Sequence, residues 1–293
     1  MKVTPYRSGA AFLGAAGAWL QREEVLNNLM LGIADRLAHA DPPPEPPAVL
    51  MTAAGPQGLE AALVMTPPRG AVLYAPGIGT DRHAAALGAL EALADALQAS
   101  IHAVPDCHGA AATALAFARL WSQRTGRSFE LHRALRIYEL RNVTFPAGIP
   151  GKARVAGGEN LDLLTDWTGR FWAEIGEPEG PQAARPSTER IIAAGQCMLW
   201  EVDGRPVSTA SAARAQRHGV TISRVYTPPE HRRHGYASAC VAALSQRQLD
   251  AGYEYCCLYT DLANPTSNAI YQRIGYVPLA DASHYRFVQG QGQ

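Results

Sequence analysis

The sequence has no excess of charge of either sign, because 26 lysine and arginine residues are balanced by 26 aspartate and glutamate residues. A neutral chain has no overall electrostatic attraction to nucleic acid or to an anionic membrane surface. It also lacks any run of about 18 consecutive apolar residues, so no transmembrane helix is expected. The run Gly9–Leu20 follows Lys2 and Arg7, but its alanine and glycine content does not favour a secretory signal peptide.

Cysteine is scarce, and its spacing indicates neither a disulfide framework nor a metal site. The five cysteines include no C-x-x-C pair, and Cys256 and Cys257 are adjacent on a predicted strand, where side chains point to opposite faces. We therefore expect reduced thiols and a cytoplasmic protein. His102 and His108 flank Cys107, but no fourth ligand stands at a suitable spacing, so we expect no metal.

Two common nucleotide-binding motifs are also missing. No G-x-x-x-x-G-K-[ST] sequence occurs, which excludes a P-loop. Gly77-Ile78-Gly79 follows a predicted strand and opens a predicted helix, but Arg82 stands where the dinucleotide fingerprint has its third glycine. We interpret this segment as a turn.

A chain of 293 residues with 47% hydrophobic content is long enough for two soluble domains. The segment Asn142–Lys152 is rich in proline and glycine, which is typical of a linker. We therefore predict domains at residues 1–145 and 152–293. Hydrophobic periodicity predicts strand, loop, helix, strand and helix in the same order in both halves.

The second half contains a strand, a loop and a helix within Gly219–Val241. Val220, Ile222 and Val225 favour a strand, which Pro228-Pro229 ends. The helix that follows carries Ala237, with apolar residues four and seven positions later. The loop between them reads Arg232-Arg233-His234-Gly235-Tyr236-Ala237, which has the form R-x-x-G-x-A. The amides that open a helix are unpaired and lie at its positive end, so this loop can bind an anion.

A second motif follows the predicted strand Tyr253–Thr260. Asn264 can cap a helix whose first position is Pro265. Asn264, Asn268 and Tyr271 are spaced at i, i+4 and i+7, so they lie on one face of that helix. From the residues alone, Asn264 is equally a plain cap and Tyr271 a half-buried aromatic.

These two motifs, in this order, resemble those of the GNAT superfamily of acyl-CoA N-acyltransferases, and the whole chain resembles its bacterial two-domain members with a C-terminal catalytic domain. The resemblance implies an α/β (α+β) fold of tandem mixed β-sheets flanked by helices, and acetyl-CoA as the acyl donor. The backbone of Val225, Tyr226 and Thr227 would run beside the pantetheine arm. The residues implied to hold the pyrophosphate and the rest of the cofactor are Arg232, Arg233, His234, Gly235, Tyr236, Ala237, Ser238, Asn264 and Asn268.

The resemblance also implies the reaction and one catalytic group. Acyl-CoA and a primary amine would be held side by side for direct transfer, and Tyr271 would give a proton to the departing thiolate. The family often places a glutamate on the strand before the pyrophosphate loop, but here that strand offers only Thr221, Ser223 and Arg224. The general base therefore stays open among Glu201, Glu254, Asp261 and a chain of waters.

The first half resembles a degenerate copy of the same domain. Gln123-Arg124-Thr125-Gly126 stands where Gln272-Arg273-Ile274-Gly275 stands in the second half, and on that register Ser122 replaces Tyr271. Gly77–Arg82 replaces the R-x-x-G-x-A loop without its pattern. The first half would then lack the proton donor; an unrelated α/β domain is the alternative.

Two functional classes remain open from the sequence. The chain is predicted to be an N-acetyltransferase, and the alternative is a non-catalytic module that senses acyl-CoA. A small amine, an amino acid, an antibiotic or the amine of a peptide are all possible acceptors, and no nucleic-acid or membrane partner is expected. The sequence does not distinguish a monomer from a homodimer.

Overall fold

The computed structural model describes residues 1–100, 103–176 and 181–289, which form two compact units. The first unit contains Met1–Ile137, Asp261–Ala263 and the described residues from Leu279 onward. The second unit contains Tyr138–Thr260 and Asn264–Pro278. Residues 101 and 102 lie outside the described residues. The predictions about the start of a strand at Ile101 and about His102 therefore fall on residues that are not described.

The first unit is built from a sheet with helices on both faces. Its sheet order is β1-β2-β3-β4-β5-β12. Successive side chains of each strand point to opposite faces of the sheet, so there is a hydrophobic core on each face. On β3, Leu63 packs with Leu90 and Phe117 on one face, and the adjacent Val64 packs with Phe12 on the other. The elements are β1 (Lys2–Tyr6), α1 (Gly9–Leu20), α2 (Glu24–Ala38), β2 (Val49–Gly55), β3 (Gly58–Met65), β4 (Ala71–Tyr74), α3 (His83–Ser100), β5 (Asp106–Ala110), α4 (Ala111–Thr125) and β6 (Ser128–Leu140).

The second unit has the sheet order β11-β10-β9-β8-β7. Helix α7 covers one face through Val241 and Leu244, and α5 covers the other through Leu164 and Trp167. The elements of the second half of the chain are β7 (Lys152–Val155), α5 (Leu161–Glu174), α6 (Pro181–Ala193), β8 (Cys197–Val202), β9 (Arg205–Ala213), β10 (Gly219–Tyr226), α7 (Tyr236–Asp250), β11 (Tyr255–Asp261), α8 (Pro265–Ile274) and β12 (Val277–Val288), and β12 from Leu279 onward belongs to the first unit.

The elements repeat along the chain. From β1 to β6, and again from β7 to β12, the order is strand, two helices, three strands, helix, strand, helix and strand. Helices α4 and α8 both end at a glycine of positive φ, Gly126 and Gly275, which supports the register that pairs Ser122 with Tyr271. The predicted α/β fold with two mixed sheets is confirmed.

Most of the C-terminal strand β12 belongs to the first compact unit, although its sequence position lies in the second half of the chain. We predicted that residues 152–293 belong together, but Ala282–Arg286 of β12 pair antiparallel with Asp106–Ala110 of β5 in the first unit. As a division into functional domains, the boundaries 1–145 and 152–293 stay a prediction. The run Gly9–Leu20 forms α1, with Phe12, Ala16 and Leu20 buried.

Two further properties follow from the described residues. None of the helices within them is both long and apolar enough to cross a membrane. All five cysteines are buried, and none of them forms a disulfide.

Candidate active site

Strands β10 and β11 separate after a short paired segment. They pair in parallel only from Gly219 to Thr221 on β10 and from Tyr255 to Cys257 on β11. β10 then continues to Tyr226 and β11 to Asp261 without further pairing to each other. Because parallel strands bond to each other through alternate residues, the edge of β10 that faces this gap keeps backbone groups without a strand partner.

A β-bulge distorts β10 at the same point. Its pairing with β9 shifts between Ser223 and Tyr226, and Arg224 has a φ of 50°. A bulge bends the strand and redirects its side chains, and a non-glycine residue of positive φ is a sign of local strain. The bulge therefore lies directly before Val225, Tyr226 and Thr227, the segment predicted to run beside the pantetheine arm.

The β10–α7 loop (residues 227–235) leads from this gap to the start of α7. Arg233 and Gly235 have φ values of 67° and 81°. Within the described parts of the chain, no group accepts a hydrogen bond from the six amides of residues 233–238. Successive amides in such a turn form a concave anion site, and the positive end of the helix dipole strengthens it.

The side chains of the two loop arginines have different surroundings. Arg232 donates from Nε to the Thr227 carbonyl at 2.9 Å and from a terminal nitrogen to Glu174 at 2.6 Å. Its guanidinium carbon also lies 5.9 Å from the centre of the Tyr226 ring. Arg232 thus fastens the loop to β10 and α5. Arg233 is exposed and has no ion pair within the described residues, so its charge is available to a ligand.

Four of the remaining predicted residues lie around the start of α7. The His234 ring stacks on the Tyr236 ring, with centroids 5.3 Å apart and planes 12° apart. Ala237 and Ser238 follow in the first turn of α7, both half-buried. Small side chains at these positions leave the amides accessible.

Helix α8 orders the second motif, and its two asparagines already have partners in the protein. Asn264 caps the helix by accepting a hydrogen bond from the Ser267 amide at 3.0 Å. Asn268 accepts from the Tyr138 hydroxyl at 2.9 Å and donates to the Asn264 carbonyl at 2.8 Å. Their contact with a cofactor stays a prediction; the geometry assigns both a part in building the helix start.

Tyr271 is half-buried among aromatic rings, and its hydroxyl forms no hydrogen bond with any described residue. Its ring centroid lies 6.4 Å from that of Tyr138 and 5.8 Å from that of Tyr276. Desolvation by burial raises the pKa of Tyr271 to about 12. The phenol therefore stays protonated at neutral pH and has a donor hydrogen that no protein group uses.

The three carboxylates considered as general base are in different situations. Glu201 is buried and accepts two hydrogen bonds from Arg154, which lowers the pKa of its carboxyl. An acid held ionised by an arginine is a poor base. Glu254 is exposed and lies 3.9 Å from Arg141, and Asp261 accepts a hydrogen bond from the Ala263 amide.

Two side chains of the site carry no sequence signal for the position they occupy. Tyr138 comes 130 residues before its partner Asn268. In the sequence, Arg224 stands out only because β10 carries no glutamate where the family often has one. The structure places Arg224 half-buried beside residues of helices α5 and α6.

The β4–α3 loop (residues 75–82) occupies the equivalent place in the first unit, and several of its amides already donate hydrogen bonds. Gly79 donates to the His83 ring at 3.0 Å, Thr80 to the Gly77 carbonyl at 3.1 Å, and Arg82 to the Thr80 hydroxyl at 3.1 Å. The Arg82 guanidinium is paired with Glu60. This loop presents no row of free donors comparable with that of residues 233–238.

Comparison with known proteins connects this geometry to a family. Residues 161–276 match the family model described as Acetyltransferase (GNAT) family. No protein of curated function matches the chain.

Solved structures resemble the chain over nearly its whole length. A GNAT-family acetyltransferase from Colwellia psychrerythraea is 13% identical with a TM-score of 0.61, and 99% of this chain and 100% of that chain are covered. A GCN5-related N-acetyltransferase from Sphaerobacter thermophilus is 14% identical with a TM-score of 0.63, covering 98% and 96%. A tandem GNAT protein from the clavulanic acid biosynthesis pathway is 12% identical with a TM-score of 0.57, and both chains are covered fully, at 100%.

At these identities the structural likeness supports the fold, and the family model supports acyl transfer in general. The matched residues include the separated strands, the six free amides and helix α8. The chain therefore carries a domain of the GNAT acetyltransferase family at residues 161–276.

Proposed function

We propose that the second unit is an N-acetyltransferase that moves an acetyl group from acetyl-CoA to a primary amine, directly, in a ternary complex. The observation that carries the proposal is the row of six free amides at residues 233–238, at the start of α7 and next to the gap between β10 and β11.

This row of amides suits the pyrophosphate of CoA. A diphosphate presents several anionic oxygens, and it needs several donors that converge without acidic neighbours. The positive φ of Arg233 and Gly235 turns successive amides toward one side, and the exposed Arg233 side chain adds a charge. Arg232 serves by holding the loop in place.

The gap between the strands suits the pantetheine arm. An extended chain with two amides can bond to the free edge of β10 as an added strand does. The thioester would then lie near Val225–Thr227, where an unpaired backbone N–H can stabilise the oxygen as it gains negative charge.

Tyr271 is proposed as the general acid. The amine nitrogen attacks the thioester carbon, a C–N bond forms, and the C–S bond breaks. The departing thiolate takes the proton of the Tyr271 hydroxyl, which has no competing partner among the described residues. The proton lost by the amine goes to solvent or to a base not yet identified.

The thiols of the unit favour direct transfer over an acyl-cysteine intermediate. Cys197 and Cys240 are buried, and burial raises the pKa of both thiols. A protonated thiol is a weak nucleophile. Buried reduced thiols also agree with the cytoplasmic location expected from the sequence, which remains part of the proposal.

The experiment uses a matched pair of variants at Ala237. Ala237→Glu places a carboxylate beside the free amides, where it repels a diphosphate while the helix dipole tolerates it. Ala237→Gln has nearly the same shape without the charge. The measurement is a thermal melt of each variant with and without millimolar acetyl-CoA.

We expect acetyl-CoA to stabilise the wild type by about 2.7 kcal/mol when its concentration is 100 times the Kd. Ala237→Gln should keep part of this shift, because its longer side chain hinders access to the amides without repelling the diphosphate, and Ala237→Glu should fold and lose the shift. The proposal fails if acetyl-CoA and CoA leave the wild-type melt unchanged, or if Ala237→Glu keeps the full wild-type shift.

A further inference from the structure

A pocket in the second unit lies between helices α5 and α6 and strands β8, β9 and β10. The pocket opens to solvent, so a ligand can reach it from outside. Its walls are largely apolar and include Leu164, Trp167, Phe171 and Ile191.

Arg224 faces this pocket, and no described residue supplies a counterion for its charge. Its guanidinium donates to the Ser187 hydroxyl at 2.7 Å and lies 5.5 Å from the centre of the Trp172 ring. Both partners are neutral. No carboxylate pairs with Arg224 anywhere in the described chain.

The surroundings of Arg224 are unfavourable to a positive charge. Desolvation by burial lowers the pKa of Arg224, and the charges of Arg190 and Arg214 lower it further. Nε of Arg214 is itself buried without a hydrogen-bond partner in the described structure. Partly buried cations without an anion are costly, and such a cost is usually offset where a ligand brings the missing charge.

The position of Arg224 connects this pocket to the proposed reaction. Arg224 is the bulge residue of β10, directly before the segment Val225–Thr227 that is proposed to hold the thioester. Tyr226 of that segment lines the pocket as well. A molecule held by Arg224 therefore lies against the strand that presents the acetyl group.

We propose that this pocket binds the carboxylate of the acceptor, with Arg224 as its counterion, so that the acceptor is a small amino acid-like molecule that carries both an amine and a carboxylate. This proposal rests on the proposed function, because it takes the bound molecule to be the amine that accepts the acetyl group. The guanidinium fork suits a carboxylate because two parallel N–H groups can donate to its two oxygens. The apolar walls would contact the side chain of the acceptor.

The first arm of the test measures binding without turnover. Calorimetry with CoA present compares 3-phenylpropionate with its uncharged amide, 3-phenylpropanamide. The variants are Arg224→Gln, Arg224→Lys, which keeps the charge but not the fork, and Arg205→Gln, a control at an exposed hairpin arginine of the same unit. A thermal melt of each variant checks that it folds.

We expect 3-phenylpropionate to bind the wild type and Arg205→Gln alike, and the amide to bind much more weakly. Arg224→Gln should weaken 3-phenylpropionate binding by about 10–100-fold, with Arg224→Lys in between. The proposal is overturned if the acid and the amide bind equally, if Arg224→Gln folds and binds the acid as the wild type does, or if neither probe binds at millimolar concentration.

The second arm separates this proposal from the function on which it rests. CoA release from acetyl-CoA is followed with the common amino acids and with their carboxamides, which keep the amine and lose the acid. Preference for the acids, abolished in Arg224→Gln, supports the proposal. Equal turnover of acids and amides overturns it and leaves the acetyltransferase standing. Binding of 3-phenylpropionate without acetylation of any amine refutes the acetyltransferase and supports the carboxylate pocket.

Discussion

Replacing Tyr271 by phenylalanine removes a single oxygen atom from the proposed active site. The ring keeps its packing against Tyr138 and Tyr276, whose centroids lie 6.4 and 5.8 Å away. The hydroxyl makes no hydrogen bond within the described structure, so its removal breaks none. We therefore expect Tyr271→Phe to fold with nearly the stability of the wild type.

The expected loss is in the rate. At pH 8 a phenol with a pKa of about 12 is protonated in all but about one molecule in 10⁴, so the donor is fully present in the wild type. Removing one general acid typically costs about 10²–10³-fold, and a thiolate leaves more readily than an amine, so kcat should fall within that range and not to zero. Affinity for acetyl-CoA should change little.

Tyr276→Phe provides a matched control with the opposite result. The Tyr276 hydroxyl is buried and bonded to the Ser245 hydroxyl at 2.8 Å. Losing that bond should cost about 1 kcal/mol of unfolding free energy and leave kcat within about twofold of the wild type. The two substitutions remove the same atom, so any general effect of losing a tyrosine hydroxyl is controlled.

The assay is single-turnover acetyl transfer, together with calorimetric acetyl-CoA binding and a urea melt of each variant. In the wild type, activity that depends on protonated Tyr271 should persist above pH 10, because donation fails only as the pH approaches the raised pKa of about 12. The assignment is wrong if Tyr271→Phe transfers acetyl as fast as the wild type, or if its loss of rate is matched by a loss of stability.

Two further predictions follow from the structure. Calorimetry on the intact chain should give one CoA per chain, because the amides of Gly79, Thr80 and Arg82 in the β4–α3 loop already donate inside the protein; two equivalent sites would contradict this interpretation. Glu201→Gln should lower the unfolding free energy by about 1.5–3 kcal/mol at pH 7, since Glu201 accepts two hydrogen bonds from Arg154. Arg154 lowers the pKa of Glu201, so this stability is present above the usual glutamate pKa of about 4.3 and is lost as pH falls through the lower folded value. The acid limb of the stability curve should therefore be shallower in Glu201→Gln, and an unchanged limb would refute the assignment.

Local chemistry made several elements predictable from the sequence. Pro228-Pro229 predicts the end of β10, and Asn264 before a proline predicts the start of α8. Each of these signals acts over a few residues through backbone geometry or a cap, so it is expressed in almost any fold that admits it. The order of the R-x-x-G-x-A loop and the α8 motif along the chain is likewise read directly from the sequence.

Contacts between residues that are far apart in the sequence could not be predicted from such local signals. The pairing of β12 with β5 joins residues more than 150 positions apart, and nothing in either strand specifies the other. The contact of Arg232 with the cofactor stays a prediction, and the sequence did not indicate its ion pair with Glu174, 58 residues earlier. In both cases the partner is chosen by packing across the whole unit, which no local pattern encodes.

Arg224 shows the difference most clearly. In the sequence it is one arginine among many, and it is notable only because its strand has no glutamate. The bulge in β10 and the helices α5 and α6 make it a half-buried cation beside the proposed acetyl site, and no carboxylate among the described residues pairs with it. Sequence determines that the charge exists, but only the tertiary structure decides how much water and which counterions it keeps, and those decide what the charge can bind.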